Sequence, residues 1–499
     1  MWLPNIRRKR REELESGDDV PFFIGYLTMA MKVVPNLERA VRFAGEQLEG
    51  EMGRELKRSI SEWHLRLHPG VSEGLSKFAK RWKRACPELE HSIHLIRSSV
   101  DERAGNSRAR TLDRALKIVL QGARDRMRDF AASIYLPTLL IYTMGVLLPL
   151  VIVVILPVLS TINVQVGAIH VVILYCLVLP ALVYGLSNHV LHKRPVTFRS
   201  PKLALRPCRF RSAVTSLLIL VTPPSTGVIL GAPPDITALA ALWGVVLAVV
   251  FYLYVTTVQA FRRREELVRM ENDLCDALLQ LGNRIGEGAP AEEAFEHVSK
   301  TMNGTELAKV FREASSNIRF GGMGLRTAFF DEDRGALREV HSGVVRSTLK
   351  MLVDVIERST RAAGEAILQM SDHLQKLRST EAELRRSMGE VVTSMRSVAL
   401  FFAPFVVSIS ARMQGVLSSK TASFGFLNFS GVSSPVFLLV LGIYVVILTV
   451  ILVNYVVEIE FGGDGVVKRM AMVNALPVAL GVFTAGAIIG GCVFGAIVG

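Results

Sequence analysis

The stretch from Ser371 to Leu417 constrains the fold most strongly, because a charged helix passes into an apolar one without any turn signal between them. The apolar residues of its polar part follow alternating four- and three-residue steps, and only Glu381 interrupts the series. Such spacing gives a helix one narrow apolar face while the rest stays in water. We call this face seam 2, and it consists of Ala363, Ile367, Met370, Leu374, Leu377, Leu384, Met388, Val391 and Met395.

An earlier stretch of the chain repeats this plan. Each of the two apolar runs has a proline in its interior, Pro149 in the first copy and Pro404 in the second. The earlier helical face, seam 1, consists of Leu112, Leu116, Val119, Ala123, Met127, Phe130 and Ile134. The sequence therefore predicts a helical domain that leads into a membrane helix, built twice.

Apolar segments of membrane-spanning length follow each helical stretch. Half of the residues are apolar while 21% are charged, and this mixture suits alternating membrane and aqueous segments. Each apolar segment is close to the length needed to cross about 30 Å of hydrocarbon, although Pro223 and Pro224 interrupt the third. The predicted spans are 135–159, 168–187, 212–231, 238–258, 396–416, 435–457 and 474–498.

We thus expect an all-α integral membrane protein with about seven transmembrane helices and two duplicated helical-bundle domains. The predicted division is a helical domain at 1–133, a four-helix membrane region at 134–259, a second helical domain at 260–395 and a three-helix membrane region at 396–499.

The placement of lysine and arginine predicts the orientation. The loop 188–211 contains seven cations and no acid, whereas the loops 160–167, 232–237 and 417–433 are almost uncharged. We therefore expect both helical domains and the basic loop on the cytoplasmic side of the cell membrane, and the C-terminus outside after seven crossings. The cations of the loop are Lys193, Arg194, Arg199, Lys202, Arg206, Arg209 and Arg211.

The formal net charge of +13 could attract nucleic acid, anionic lipid or an acidic protein. In a membrane protein, lipid headgroups and the positive-inside bias explain such an excess. We expect membrane lipids as partners and no nucleic acid.

The motifs of cofactor chemistry are missing from the sequence. No GxxxxGK[ST] motif occurs, so a nucleotide phosphate lacks its usual cradle. His91 and His94 could share a helix face near Cys86, but a zinc site with four ligands cannot be assembled around them. We expect no catalytic residue, no cofactor and no metal.

The apolar spans are almost free of ionisable groups, and His170 and Arg412 lie near span ends. Ion-coupled carriers keep polar pairs at mid-membrane, and we expect none here. Small residues at four-residue steps in the last span indicate close helix packing, either within the chain or in a homodimer. They are Gly486, Gly490, Gly491, Gly495 and Gly499.

Three features carry a resemblance to a known family. They are the paired amphipathic helices around Leu27 to Ala44 and Leu279 to Val298, the glycine-containing connectors Gly70–Leu75 and Gly322–Leu325, and the membrane-entering helices with Pro149 and Pro404.

In these features the chain resembles the platform (inner-membrane core) proteins of the type II secretion and type IV pilus superfamily, the F-domain proteins. Its layout is similar to that of the archaeal members that serve archaella and archaeal pili. Bacterial members join two F-domains through fewer membrane helices, whereas this chain has four between them and two more at its end.

The resemblance implies a non-enzymatic membrane platform of a pilus, archaellum or secretion machine. Its partners would be a hexameric secretion-type ATPase on the cytosolic side and pilin-like subunits in the membrane. A basic cluster in the first helical domain is the expected docking surface for that ATPase. It consists of Lys77, Lys80, Arg81, Lys83 and Arg84.

Two other classes of function stay open from the residues. A membrane permease or transporter would require polar pairs at mid-membrane. A membrane-tethered signalling scaffold would have the same helical domains without a partner ATPase.

Overall fold

The structure is a computed structural model that describes residues 19–48, 50–64, 70–83, 86–102, 104–161, 167–191, 210–229, 231, 233–358, 360–423 and 434–498. Within these ranges the regular elements are helices, and no strand occurs. The all-α prediction is confirmed.

The first half of the chain contains ten α-helices and two five-residue π-helical turns among its described residues. They are α1 (Asp19–Val33), α2 (Leu37–Gln47), α3 (Gly50–His64), α4 (Val71–Trp82), α5 (Pro87–Ser98), α6 (Gly105–Tyr142), the π-turn π1 (Thr143–Leu147), α7 (Leu148–Thr161), α8 (Ala168–Ile173), π2 (Leu174–Val178), α9 (Leu179–Leu191) and α10 (Phe210–Ile229).

The second half contains a further nine α-helices and one π-turn in the described part. They are α11 (Pro234–Gly286), α12 (Ala291–Thr301), α13 (Glu306–Arg319), α14 (Leu325–Phe330), α15 (Gly343–Arg358), α16 (Thr360–Ser397), π3 (Val398–Phe402), α17 (Ala403–Ser423), α18 (Ser434–Phe461) and α19 (Gly465–Val498).

The chain forms two compact units. Unit 1 comprises Met1–Arg128, Pro195–Arg199 and Arg263–Leu384, and unit 2 comprises Asp129–Arg194, Ser200–Arg262 and Arg385–Gly499.

Helix α1 lies at the centre of unit 1. Most of its residues from Val20 to Met31 are buried, as expected for a helix that is apolar on all sides. The buried Thr28 hydroxyl donates to the carbonyls of Ile24 and Gly25, at 2.8 and 3.1 Å. Its polar group is thus satisfied within the helix. The helix ends before Pro35, and Asn36 caps α2 by accepting from Arg39 N at 3.0 Å.

Both predicted helical domains contribute to one hydrophobic core in unit 1. In the first, Phe23 packs edge-on against Phe78 with ring centroids 5.7 Å apart. In the second, Phe295 stacks on Phe311 at 5.6 Å and meets Phe329 edge-on at 5.3 Å. The chain thus folds its two helical stretches into a shared core, while the predicted domain boundaries stay predictions.

Six helical segments of the described part are long and apolar enough to cross a membrane. The predicted third span, 212–231, is not among them. It coincides with α10, which contains Pro223 and Pro224. Within this span, residue 230 and the side chains of residues 212–214 and 228 lie outside the described part. The count of seven spans therefore stays a prediction. The six segments are Gly105–Ile155, Ala168–Leu191, Pro234–Gly286, Ala363–Met413, Ser434–Phe461 and Gly465–Val493.

The order of elements at the ends of the two helical stretches is the same. Helices α6 and α16 each contain 38 residues, and each is followed by a π-turn of five residues. Pro149 and Pro404 then occupy the second positions of α7 and α17. The repeated order matches the repeat in the sequence, and a duplicated domain stays a prediction.

Candidate functional site

The two seams are buried faces of α6 and α16. Every residue predicted for seam 1 is buried. In seam 2 the prediction fails at one position, because Val392 is buried while Val391 is partly exposed. A period of 3.6 residues drifts from strict four- and three-residue steps along a long helix, which shifts the buried position by one.

At the predicted break in seam 2, Thr380 takes the buried position beside Glu381. The Thr380 hydroxyl donates to Lys376 O at 2.9 Å and accepts from Arg124 of α6 at 3.1 Å. Arg124 also pairs with Glu383 at 2.9 Å. The interruption of the apolar series is therefore a polar link between α6 and α16.

The predicted prolines follow π-turns, which the sequence analysis missed. A proline has no N–H and cannot bond the carbonyl four residues before it. In all three turns the residue before the proline donates its N–H to the carbonyl five residues back. The chain thus makes one wide turn ahead of Pro149, Pro180 and Pro404, as π-bulges do.

Two tyrosines of unit 2 satisfy the carbonyls at the first of these turns. Pro149 leaves Gly145 O without its usual donor, and the Tyr444 hydroxyl donates to that oxygen. The Tyr175 hydroxyl donates to Pro149 O at 2.8 Å. The two tyrosine rings meet edge-on with centroids 5.7 Å apart. Because buried carbonyls in an apolar region need partners, these tyrosines stabilise the first span at its π-turn.

The first and third π-turns also lie against each other within unit 2. The Tyr142 ring, which precedes π1, and the Phe402 ring at the end of π3 have centroids 5.8 Å apart. The two membrane-entering helices are therefore in contact where each changes its hydrogen-bonding pattern.

The basic cluster predicted to dock an ATPase lies on α4 and just beyond it. Its described members, Lys77, Lys80, Arg81 and Lys83, are all exposed, and Arg84 lies outside the described residues.

Three of these cations pair with acids of unit 1. Lys77 lies 3.5 Å from Glu73, Lys83 lies 2.8 Å from Glu90, and Arg81 pairs with Glu55. Lys80 makes no ion pair with a described residue. Because of these ion pairs, the net positive charge at this surface is smaller than the cluster's sequence alone indicates.

Most of the predicted basic loop lies outside the described residues, namely Lys193, Arg194, Arg199, Lys202, Arg206 and Arg209. Arg211 falls within α10, where its side chain is not described.

An ion pair joins three helices of unit 2. Its acid, Asp235, lies in the predicted loop 232–237 and Arg412 lies near a predicted span end, so the absence of polar pairs at mid-membrane stays a prediction. Arg412 of α17 lies 2.6 Å from Asp235 of α11 and donates through Nε to Ala487 O of α19 at 3.0 Å. Both side chains are partly buried, at 20% and 31% exposure. The signal in the sequence was a single acid in an otherwise uncharged loop and a single arginine in an apolar helix.

The glycine stripe of α19 packs against α17 within the chain. A Cβ on Gly486 would collide with Ser408 Oγ, and one on Gly490 would lie 3.3 Å from Arg412 Cβ. Close helix approach within the chain therefore explains these two glycines. Gly495 and Gly499 lie outside the described side chains, and a homodimer stays a prediction.

The histidine and cysteine side chains near α5 do not form a metal site. His91 and His94 are exposed, whereas burial raises the pKa of Cys86 to about 12. Its thiol donates to Glu88 Oε2 at 3.2 Å, and Glu88 pairs with Arg126 at 2.6 Å. Among the described residues, no group of three such ligands could hold a metal ion.

These features define a helical membrane protein with a charged helical unit whose long helices lead into apolar spans. Residues 277–411 match the family model of the type II secretion system (T2SS), protein F. The matched segment begins in α11 and ends in α17, so it contains seam 2, π3 and Pro404.

The match indicates a membrane-embedded platform protein of the type II secretion and type IV pilus kind. Comparison with curated proteins gave no match, and comparison with solved structures gave none either.

Proposed function

We propose that this chain is the non-enzymatic platform of a type IV pilus-like, archaellum-like or type II secretion-like machine. It would couple a hexameric secretion-type ATPase in the cytosol to the assembly of pilin-like subunits in the membrane. The observation that carries the proposal is the protein F match, because it includes both the helical segment of α12 to α16 and the start of an apolar span.

The proposed coupling rests on helix continuity. Helix α16 continues through π3 into α17 with helical backbone angles at both junctions. A rigid element can pass a displacement from one end to the other. Motion imposed on the polar part of α16 by an ATPase would therefore reach the apolar part that receives pilin-like subunits.

The proposed orientation puts unit 1 and the basic loop in the cytosol, following the distribution of lysine and arginine. It is tested with single cysteines, Ser423→Cys and Ser200→Cys, in a background without the native cysteines. A membrane-impermeant thiol reagent applied to intact cells should label the Ser423→Cys variant and not the Ser200→Cys variant. Labelling of Ser200→Cys alone would show that the orientation is the opposite of the proposed one.

The basic cluster on α4 is the proposed docking surface for the ATPase. Reversing Arg81 or Lys83 would also break a pair inside unit 1, so Lys80→Glu is the sharper variant. It should weaken capture of the ATPase, and its difference from the wild type should shrink as salt rises and screens the charge. Lys117→Glu, an exposed change on α6, is the matched control.

The proposed function is tested by deleting the gene and examining the cells by electron microscopy and for protein export. Loss of surface filaments, or of export, that a copy of the wild-type gene restores is the expected result. Unchanged filaments and unchanged export in the deletion strain would overturn the proposal.

A further inference from the structure

Unit 1 carries an open groove of about 400 Å³ on the face of α14 and α15. Cations contribute half of the residues that line it, and an aromatic ring and small residues contribute the rest. The lining residues are Arg326, Phe330, Gly343, Arg346, Ser347 and Lys350.

The three cations of the groove differ in their partners. Arg326 pairs with Asp354 and lies 3.6 Å from Glu357. Lys350 lies 2.8 Å from Glu46. Arg346 is exposed and makes no ion pair with any residue that the structure describes.

The position of Arg346 on α15 is electrostatically unfavourable in the isolated unit. The first turn of this helix contains no acid, and the positive end of a helix dipole lies there. Lys350 follows four residues later, and like charges at that spacing repel each other. An incoming anion would relieve both effects.

We infer that this groove binds an acidic peptide segment of a protein partner in the aqueous phase. The guanidinium of Arg346 can take a carboxylate through two parallel hydrogen bonds. The ring of Phe330 offers apolar contact to the stem of the acidic side chain. Asp354, Glu357 and Glu46 disfavour a phosphate group with two charges at one point more than single carboxylate charges spaced along a peptide, because repulsion grows with the charge held close to these acids.

This surface is distinct from the basic cluster on α4. Binding of a peptide there requires only that unit 1 is exposed to the aqueous phase, whichever machine the platform serves.

The test uses the full-length chain in an uncharged detergent and a short, fluorescein-labelled peptide of alternating glutamate and alanine. Fluorescence anisotropy should show binding that weakens with salt, and the corresponding glutamine peptide should not bind. Arg346→Glu should weaken binding about tenfold or more, and the neutral Arg346→Gln should weaken it less. Arg114→Glu, an exposed change on α6, should leave it unchanged.

Folding provides an internal control for these variants. An acid in the first turn of α15 suits the helix dipole and the charge of Lys350. The midpoint of thermal unfolding of Arg346→Glu should therefore equal or exceed that of the wild type while binding falls.

Three results would overturn the inference. The first is wild-type protein that binds the glutamate and glutamine peptides equally. The second is an equal loss for Arg346→Glu and Arg114→Glu, which would mean general charge attraction. The third is displacement of the peptide by inorganic phosphate at an equal concentration, which would mean a small-anion site.

Discussion

His373 of α16 is a buried histidine with an unpartnered ring nitrogen in unit 1. Its Nε2 has no hydrogen-bond partner among the described residues, and a Cβ on Gly25 of α1 would lie 3.2 Å from it. Burial, together with the nearby cations Lys32 and Lys376, lowers the pKa of His373 to about 4, against the opposing effects of Asp113 and Asp372. The ring is therefore neutral in the folded protein at neutral pH.

This neutral ring predicts a pH dependence of stability. The unfolded chain binds a proton on His373 below about pH 6.5, whereas the folded chain does so only near pH 4, so stability is complete above pH 6.5 and falls as the pH decreases. The free energy of unfolding should decrease by about 2 kcal/mol between pH 8 and pH 5 from this group alone. Thermal unfolding as a function of pH measures it.

His373→Leu should flatten that pH dependence, whereas His91→Gln, an exposed change on α5, should leave it unchanged. If the two variants and the wild type lose stability equally on acidification, another group is responsible.

The energetics of the ion pair between Arg412 and Asp235 can also be tested. Removing one partner of a partly buried ion pair leaves the other charge desolvated. Arg412→Ala or Asp235→Ala should thus lower the free energy of unfolding by about 2 kcal/mol. The exchanged pair Arg412→Asp with Asp235→Arg should recover part of this loss.

Arg58→Ala is the control for this pair, because Arg58 forms an exposed pair with Glu62 and such pairs contribute about 0–1 kcal/mol. Equal losses for the exposed and the partly buried pairs in thermal unfolding would show that the Arg412–Asp235 link does not hold the helices together.

At the scale of elements, seam 2 is the face on which α16 packs. Leu374 and Leu384 are 6% and 3% exposed, and Gln375 is exposed. Leu374→Ala or Leu384→Ala should lower the free energy of unfolding by about 2–5 kcal/mol, and Gln375→Ala should have little effect. Chemical denaturation of the solubilised chain measures the difference. Equal tolerance at the three positions would mean that the seam is not a packed face.

The π-turn before Pro149 predicts a coupling between two residues. Tyr444→Phe leaves the Gly145 carbonyl without a donor and should destabilise the protein by about 1–3 kcal/mol. Pro149→Ala restores an N–H that can bond the same carbonyl. Tyr444→Phe should therefore cost less in the Pro149→Ala background, and thermal unfolding of the four proteins of this cycle measures the coupling. Strictly additive effects would contradict this role of Tyr444.

The elements of this chain were predictable to different degrees, for physical reasons. Seam 1 follows directly from a helical period that the sequence displays. The π-turns and their tyrosine partners were not predicted. A proline in the sequence shows which backbone carbonyl loses its N–H donor, but it does not show which side chain donates to that carbonyl instead. Tyr444 lies far from Gly145 in sequence, and only the packing of unit 2 brings its hydroxyl there.

At the scale of the whole molecule, composition and charge predicted an all-α membrane protein with alternating polar and apolar regions. They did not predict that both helical stretches share one core, because core residues of either stretch have the same apolar pattern. The basic cluster on α4 illustrates the same difficulty. Its cations are adjacent in sequence, but Glu55 lies on another helix, so their pairing depends on the fold.

The central proposal is that this chain is a membrane platform whose unit 1 binds a cytosolic ATPase. The most direct measurement is capture of the purified cognate ATPase by the full-length chain in lipid nanodiscs, read by size-exclusion chromatography. The wild type should carry the ATPase into the nanodisc fraction, with loss at high salt, and Lys80→Glu should capture less than Lys117→Glu. A wild-type chain that is folded in nanodiscs yet captures no ATPase at any salt concentration would contradict the account.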